Sequence, residues 1–249
     1  MELEIQQFIL YLENVKKTSE NTRVSYERDL HKLKHFLNKQ SVEHIDAVTT
    51  TNLNSYILYL EKEKFAPSTI SRNIAAIKSF YHYLSKDGKV QQDIAEELKA
   101  PKVEKKAVET LTEREVAILL QQPNLETSKG IRDRAMLELL YATGVRVSEL
   151  IALKESQVNL NLGYVTCNNK TVSFGSQAGN ALKLYLETAR KELIGEKQSD
   201  CLFVNCSGAQ MSRQGVWKVL KAYAKKAGIE TDITPHMIRN AYTKAHPEK

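Results

Sequence analysis

Cysteine, glycine and proline are all scarce in this chain. Three cysteines, Cys167, Cys201 and Cys206, are too few for a disulfide scaffold and lack the paired spacing of a zinc site. A reducing, cytoplasmic setting is the expectation. Ten glycines and five prolines in 249 residues leave little room for a loop-rich all-β fold. No stretch approaches the roughly 18 consecutive apolar residues of a transmembrane helix, so no membrane partner is expected. The opening MELEIQQFILYLENVKK is acidic and then amphipathic, unlike the basic start and unbroken apolar run of a signal peptide. What is present is globular in proportion, with 42% hydrophobic and 27% charged residues. The length accommodates one large domain or two ordinary ones.

The formal net charge of +6 is unevenly placed. Residues 1–100 carry 14 basic and 14 acidic side chains and balance to zero. The excess sits at 101–106, with Lys102, Lys105 and Lys106 against Glu104, and at 211–249, with 8 basic against 3 acidic residues. Clustered positive charge suits a polyanion such as nucleic acid, although a solvated basic face has the same signature.

Apolar spacing predicts four helices in the first 90 or so residues. Leu3, Ile5, Phe8, Ile9 and Leu12 mark the first. Ser19 or Asn21 caps a second that buries Tyr26, Leu30, Leu33 and Leu37. A third starts at Thr49–Thr51 and carries Leu53, Tyr56, Ile57 and Leu60. A fourth opens at Pro67-Ser68, buries Ile70, Ile74, Ile77, Tyr81 and Leu84, and closes at Gly88. KAPKVEKKAVE (99–109) has charge and proline but no apolar period and reads as a linker. Beyond it, Thr112 and Glu115 form a capping box. A strong helix runs from Asp133 to Tyr141 and ends at Gly144, and another runs from Val147 to Leu153. Val158–Leu160, Tyr164–Cys167 and Thr171–Phe174 are short and β-prone, with Asn168-Asn169 as a tight hairpin turn. Helices return at 176–194, from Ser212 to Ala227, and after Thr234-Pro235, with Cys201–Val204 extended between them. The expected class is mainly α: a four-helix bundle at 1–98, a linker at 99–110, and a mostly helical unit with one small three-stranded antiparallel sheet at 111–249.

RDRAMLELLYATGVRVSEL (132–150) resembles the tyrosine recombinase, or phage integrase, family in its Xer-like branch. TRVSYERDLHKLKHFL and STISRNIAAIKSFYHYL resemble that family's SAM-like, core-binding helical domain. DCLFVN (200–205), MSRQGVWKVLKAYAKKAGI (211–229) and ITPHMIRNAY (233–242) follow in the family's order, so the resemblance covers nearly the whole chain. It implies a clamp on duplex DNA. In the family a tyrosine attacks a phosphate to form a 3′-phosphotyrosyl link, two arginines and a histidine stabilise the transition state, and a hairpin lysine protonates the leaving oxygen. No metal or nucleotide cofactor is implied. By motif, Arg146 is the first arginine, His236 the histidine and Arg239 the second arginine. Guanidinium forks match phosphate geometry, and His236 and Arg239 share a helix face at i and i+3. On 212–227, Arg213, Gln214, Lys218 and Lys221 form a DNA-facing set, and Arg72 and Lys78 resemble DNA-facing positions of the first domain.

The chain departs from the family pattern in two places. Its hairpin, YVTCNNKTVSFG (164–175), is short. Lys170 is its only candidate acid, and KTVSFG aligns better with the strand after the usual turn. The sequence also ends ten residues after Arg239, short of the family's second His/Trp, its nucleophilic tyrosine and its tail helix. Tyr242 stands where the family has a core aromatic, and Asn240 where a histidine is common. The expectation is duplex DNA binding without cleavage, with other recombinase protomers as partners on DNA and a monomer off it. A non-catalytic DNA-binding regulator is the alternative, and a helical protein-interaction module the third.

Overall fold

A computed structural model describes residues 1–101 and 110–245. Most of the expected linker, with Lys102, Lys105 and Lys106, lies outside the described residues, as does His246. The chain divides into two compact units, Met1–Lys105 and Lys106–Lys249.

The first unit holds α1 (Glu2–Asn14), α2 (Glu20–Asn38), α3 (Thr50–Lys62) and α4 (Pro67–Lys86). Local chemistry sets three of the four starts. The Ser19 side chain accepts the Thr22 amide, Thr49 and Asn52 cap each other reciprocally, and Pro67 occupies the first turn of α4. Their apolar stripes meet in one core built on Phe8, Leu30, Leu33, Leu53, Tyr56, Ile77 and Phe80. Leu3 departs from the expected stripe: it is 61% exposed, and Ile5, Phe8 and Leu12 carry the buried face of α1. Two polar side chains enter this core together, where the Tyr56 hydroxyl donates to Asn73 Oδ1 at 2.9 Å and Asn73 Nδ2 donates to the Thr69 carbonyl at 2.9 Å.

The second unit is arranged around α6 (Ser128–Thr143), which is buried on nearly every side. Around it stand α5 (Glu113–Leu120), α7 (Val147–Ala152), α8 (Ser176–Leu184), α9 (Arg190–Ile194), α10 (Arg213–Lys226) and α11 (Pro235–Ala245). A π-helical turn at Tyr185–Ala189 joins α8 to α9, so the helix expected over 176–194 is continuous but not uniform. Three short strands, β1 (Val158–Asn159), β2 (Tyr164–Cys167) and β3 (Lys170–Ser173), pair antiparallel in that order. The β2–β3 hairpin closes on Asn168 and Asn169 with φ of +46° and +60°. That is the two-residue turn in which both residues are left-handed, and asparagine tolerates the conformation.

α6 begins five residues earlier than the apolar period indicates, because its first turns are polar yet buried. Arg132 Nε and Nη2 donate to Asp133 Oδ1 at 2.9 and 2.6 Å, and Nη1 donates to the Val204 carbonyl at 3.1 Å. The Tyr223 hydroxyl donates to Asp133 Oδ2 at 3.0 Å. Burial, and then the Asp133 carboxylate, push the Tyr223 phenol up, so it stays a donor. The pair therefore fastens α10 and the 201–204 segment to α6. Among the described residues no helix is long and apolar enough to cross a membrane.

Removing one partner of a buried pair leaves the other charge uncompensated. Asp133→Ala should lower the stability of the second unit by about 3–5 kcal/mol, read from urea unfolding followed by the fluorescence of Trp217, the chain's single tryptophan.

Candidate functional site

The site is built where α6 ends. Gly144 caps that helix in the left-handed region at φ +60°, and its amide bonds to the Leu140 carbonyl. A Cβ on Gly144 would stand 2.3 Å from Cδ1 of Tyr242, so the Tyr242 ring occupies the space that glycine leaves. The chain then turns through buried Val145, and Arg146 caps α7. Glu149 holds Arg146 from both ends: its Oε2 accepts the Arg146 amide at 2.7 Å, and its Oε1 accepts guanidinium Nη1 at 3.1 Å. The Arg146 side chain is still 64% exposed. Burial pushes the Glu149 carboxyl up, but the Arg146 amide, the guanidinium and Asn168 outweigh it and hold the group below its ordinary value. Glu149 is therefore ionised and keeps the guanidinium oriented.

A groove of about 460 Å³ opens beside this turn, between the starts of α7, α10 and α11. Arg146, Arg213, Gln214, His236 and Arg239 all line it, with Val145, Val147, Trp217 and Pro235 as its apolar surface. Five of the residues singled out from sequence are thus brought together. Arg146 and Arg239 also line a second groove, which they share with Lys170, Asn168 and Tyr242. Lys170 opens β3 and is exposed. The hairpin is tied to the arginine by Asn168 Nδ2, which donates to Glu149 Oε1 at 3.2 Å.

Chemically, the first groove joins three permanent cations and an imidazole to backbone near a helix start. That suits an oxyanion with several oxygens, such as a phosphodiester. Lys218 and Lys225 lie exposed further along α10, outside the groove. Lys221, also on α10, pairs with Asp232 at 2.9 Å and sits 4.3 Å from the Trp217 ring centre.

The two candidates in the first unit have other partners. Arg72 Nε and Nη2 donate to Asp29 Oδ2 and Oδ1 at 2.7 and 2.9 Å, and the Asp29 side chain is 2% exposed. Lys78 Nζ donates to the Glu96 carbonyl at 2.8 Å. Arg72 is still 46% exposed beside its pair. Sequence reasoning passed over Asn168 as anything but a turn residue, and over Trp217 altogether. The one signal for Trp217 was its place three residues after Gln214 and four after Arg213, on the helix that carries both.

Known proteins with similar sequences and folds can be set beside this geometry. The phage integrase family matches residues 109–245, and the phage integrase N-terminal SAM-like domain matches residues 5–88. The chain is 38% identical over 241 residues to a tyrosine recombinase of Caldanaerobacter subterraneus, covering 96% of this chain and 82% of that one. It is 36% identical over 247 residues to the tyrosine recombinase XerD of Staphylococcus saprophyticus, covering 97% and 84%. Its fold is similar to the Tn1549 transposon integrase solved with circular intermediate DNA, at TM-score 0.75 and 14% identity, covering 97% and 86%. It is also similar to a lambda integrase dimer bound to a COC' core site, at TM-score 0.74 and 15% identity, covering 98% and 85%. At such identities the structural likeness bears on the fold alone.

The Gly144–Tyr242 contact gives a quantitative expectation. Gly144→Ala should destabilise the second unit by about 2–4 kcal/mol, from the left-handed backbone and the overlap with the ring. In Gly144→Ala/Tyr242→Ala the overlap disappears, so urea unfolding should show a favourable coupling of about 1–2 kcal/mol between the two changes.

Proposed function

The chain belongs to the phage integrase family, and from that premise we propose that it binds duplex DNA in the manner of a site-specific tyrosine recombinase and grips a backbone phosphate between Arg146, His236 and Arg239. The observation that carries this reading is their convergence, from α7 and α11, in one groove that α10 completes with Arg213 and Gln214. Paired guanidiniums match the non-bridging oxygens of a phosphodiester and gain strength where water is thinned out. Arg213, Gln214 and Lys218 share the exposed side of α10, where Lys218 contributes charge and Gln214 an amide able to pair with a base edge. Lys170 lines the second groove with the two arginines and adds a further cation for the DNA backbone there. Assembly of several protomers on DNA belongs to the same reading, in keeping with the lambda integrase neighbour, which was solved as a dimer on its core site.

In this reading none of Tyr164, Tyr185, Tyr223 and Tyr242 links the protein covalently to DNA. Tyrosines of the second unit have structural employment. Tyr185 donates its hydroxyl to the Leu202 carbonyl at 3.0 Å, Tyr223 donates to Asp133, and the Tyr164 hydroxyl accepts from Asn159 at 3.4 Å. Tyr242 packs its ring on Gly144, one turn along the same helix from Arg239. Attack on phosphorus requires in-line approach from about 3 Å, whereas a residue fixed on the arginine's own helix approaches from the arginine's side.

The test is a mobility-shift titration over a range of salt, using a duplex selected for binding to this protein. Log affinity should fall linearly with log salt. Lys218→Ala and Lys225→Ala should each make the slope shallower by about 0.9, the change produced when one phosphate is no longer neutralised. Absence of a complex at low salt would overturn the reading. On a nicked duplex, denaturing gels should show no protein–DNA adduct. A protease-sensitive adduct that disappears in Tyr242→Phe would make Tyr242 the nucleophile instead.

A further inference from the structure

The groove that gathers the two arginines contains one large side chain that phosphate binding does not use. Trp217, the chain's only tryptophan, is 41% exposed, although the indole is the largest apolar surface a side chain can bury. It is exposed but held. Its Nε1 donates to the Ile233 carbonyl at 3.3 Å, and the Lys221 ammonium lies 4.3 Å from the ring centre, itself anchored by Asp232 at 2.9 Å. Trp217 lines the groove and Lys221 does not. Val145, Val147 and Pro235 add apolar surface to the same groove, next in sequence to Arg146 and His236. A bare phosphate would engage only the polar side. A volume of about 460 Å³ lined by both charged and apolar side chains fits a group larger than a phosphate that has charged and apolar parts.

A nucleotide has that character, with its phosphate at one end and its deoxyribose and base edge at the other. We infer that Trp217 is a positioning residue of this groove, packing its indole against the sugar and base edge of the nucleotide whose phosphate Arg146 and Arg239 hold. The inference rests on the phosphate reading above and adds to it what fixes the strand along the groove. Two arginines pair with any phosphate of a duplex, because every phosphate offers the same oxygens. An aromatic wall at a set place beside them accepts the sugar in one orientation only. The clamp on the indole from Lys221 and Ile233 makes that wall rigid before DNA arrives, so little side-chain freedom is lost on binding.

Because Trp217 is the sole tryptophan, the native protein reports on the contact directly. Its fluorescence is titrated with acrylamide in the free state and with the selected duplex at saturation, the saturation being established by mobility shift. The acrylamide quenching constant should fall at least about two-fold, as expected for an aromatic face covered by a nucleotide. In a second measurement, 5-iododeoxyuridine is placed in turn along the duplex. Photo-crosslinking should attach one neighbourhood of the duplex to the α10 peptide that contains Trp217, and Trp217→Ala should abolish the attachment. The same variant should bind about ten-fold more weakly and Trp217→Phe within about three-fold of the native protein, since phenylalanine keeps an aromatic face. Circular dichroism melts check that both variants fold, and the quenching readout needs neither. Unchanged quenching in a saturated complex, or no crosslink at α10, overturns the Trp217 inference and leaves DNA binding intact. Failure to form any shifted complex overturns the phosphate reading and the inference together.

Discussion

The second unit turns on a missing side chain. α6 is buried on nearly all sides and can end only where the chain reverses direction without a Cβ in the way. Gly144 supplies that reversal in the left-handed region, and the Tyr242 ring fills the space above it. Two consequences follow. Val145 goes into the core, and Arg146 emerges as the cap of α7 with its side chain outward. At the same time α11, which carries His236 and Arg239, is docked against the end of α6 by its own tyrosine. The arginines of two helices thus face one groove because one residue between them has no side chain. Tyr242 has more physical content as the partner of that glycine than as a reactive hydroxyl.

A second constraint holds the other wall. α10 is registered against α6 by the Tyr223 hydroxyl on Asp133, and Asp133 is neutralised by Arg132, which also reaches the Val204 carbonyl. A buried ion pair is a poor source of net stability, since desolvation of both ions offsets much of their attraction. Its directional hydrogen bonds, however, define where α10 lies more narrowly than apolar contacts do, and apolar contacts tolerate sliding. The groove is formed where the starts of α7, α10 and α11 meet, so a shift of α10 by a fraction of a turn would separate Gln214 and Trp217 from the arginines.

Much of this was readable from sequence, for identifiable reasons. Caps act within one turn: Thr112 with Glu115 and Ser212 form as read, Ser19 rather than Asn21 caps its helix, and Thr49 caps the one expected to start at Thr49–Thr51. The Asn168-Asn169 hairpin is equally local. The motif arginines and His236 do converge, although spacing alone gives only the His236–Arg239 half of that. What spacing could not show was long-range pairing. Arg132 and Asp133 look like surface charges and are buried together, which hid the first turns of α6. Arg72 looks like a free cation until Asp29, on another helix, is placed beside it. Leu3 fits an apolar period yet faces outward, because α1 is covered on one side only. Trp217 falls outside the buried stripe of its own helix, and only the fold shows that what it faces is a groove.

These placements also explain why the net charge is so unevenly distributed. Residues 1–100 balance to zero, and the two candidate cations among them are paired with Asp29 and with the Glu96 carbonyl. In the second unit the exposed lysines of α10 stand outside the groove, while Arg146 and Arg239 stand within it. On the proposed DNA-binding reading, the outer charges supply attraction that any phosphate satisfies. The inner ones have to be aimed, and Glu149 does the aiming. An exposed ion pair contributes about 0–1 kcal/mol, enough to orient a guanidinium and too little to withhold it from a phosphate. The same Glu149 carboxylate accepts from Asn168, so the hairpin bearing Lys170 and the turn bearing Arg146 are hydrogen-bonded to one group. Glu149 Oε1 is thus the one acceptor shared by the arginine and by the turn that precedes Lys170.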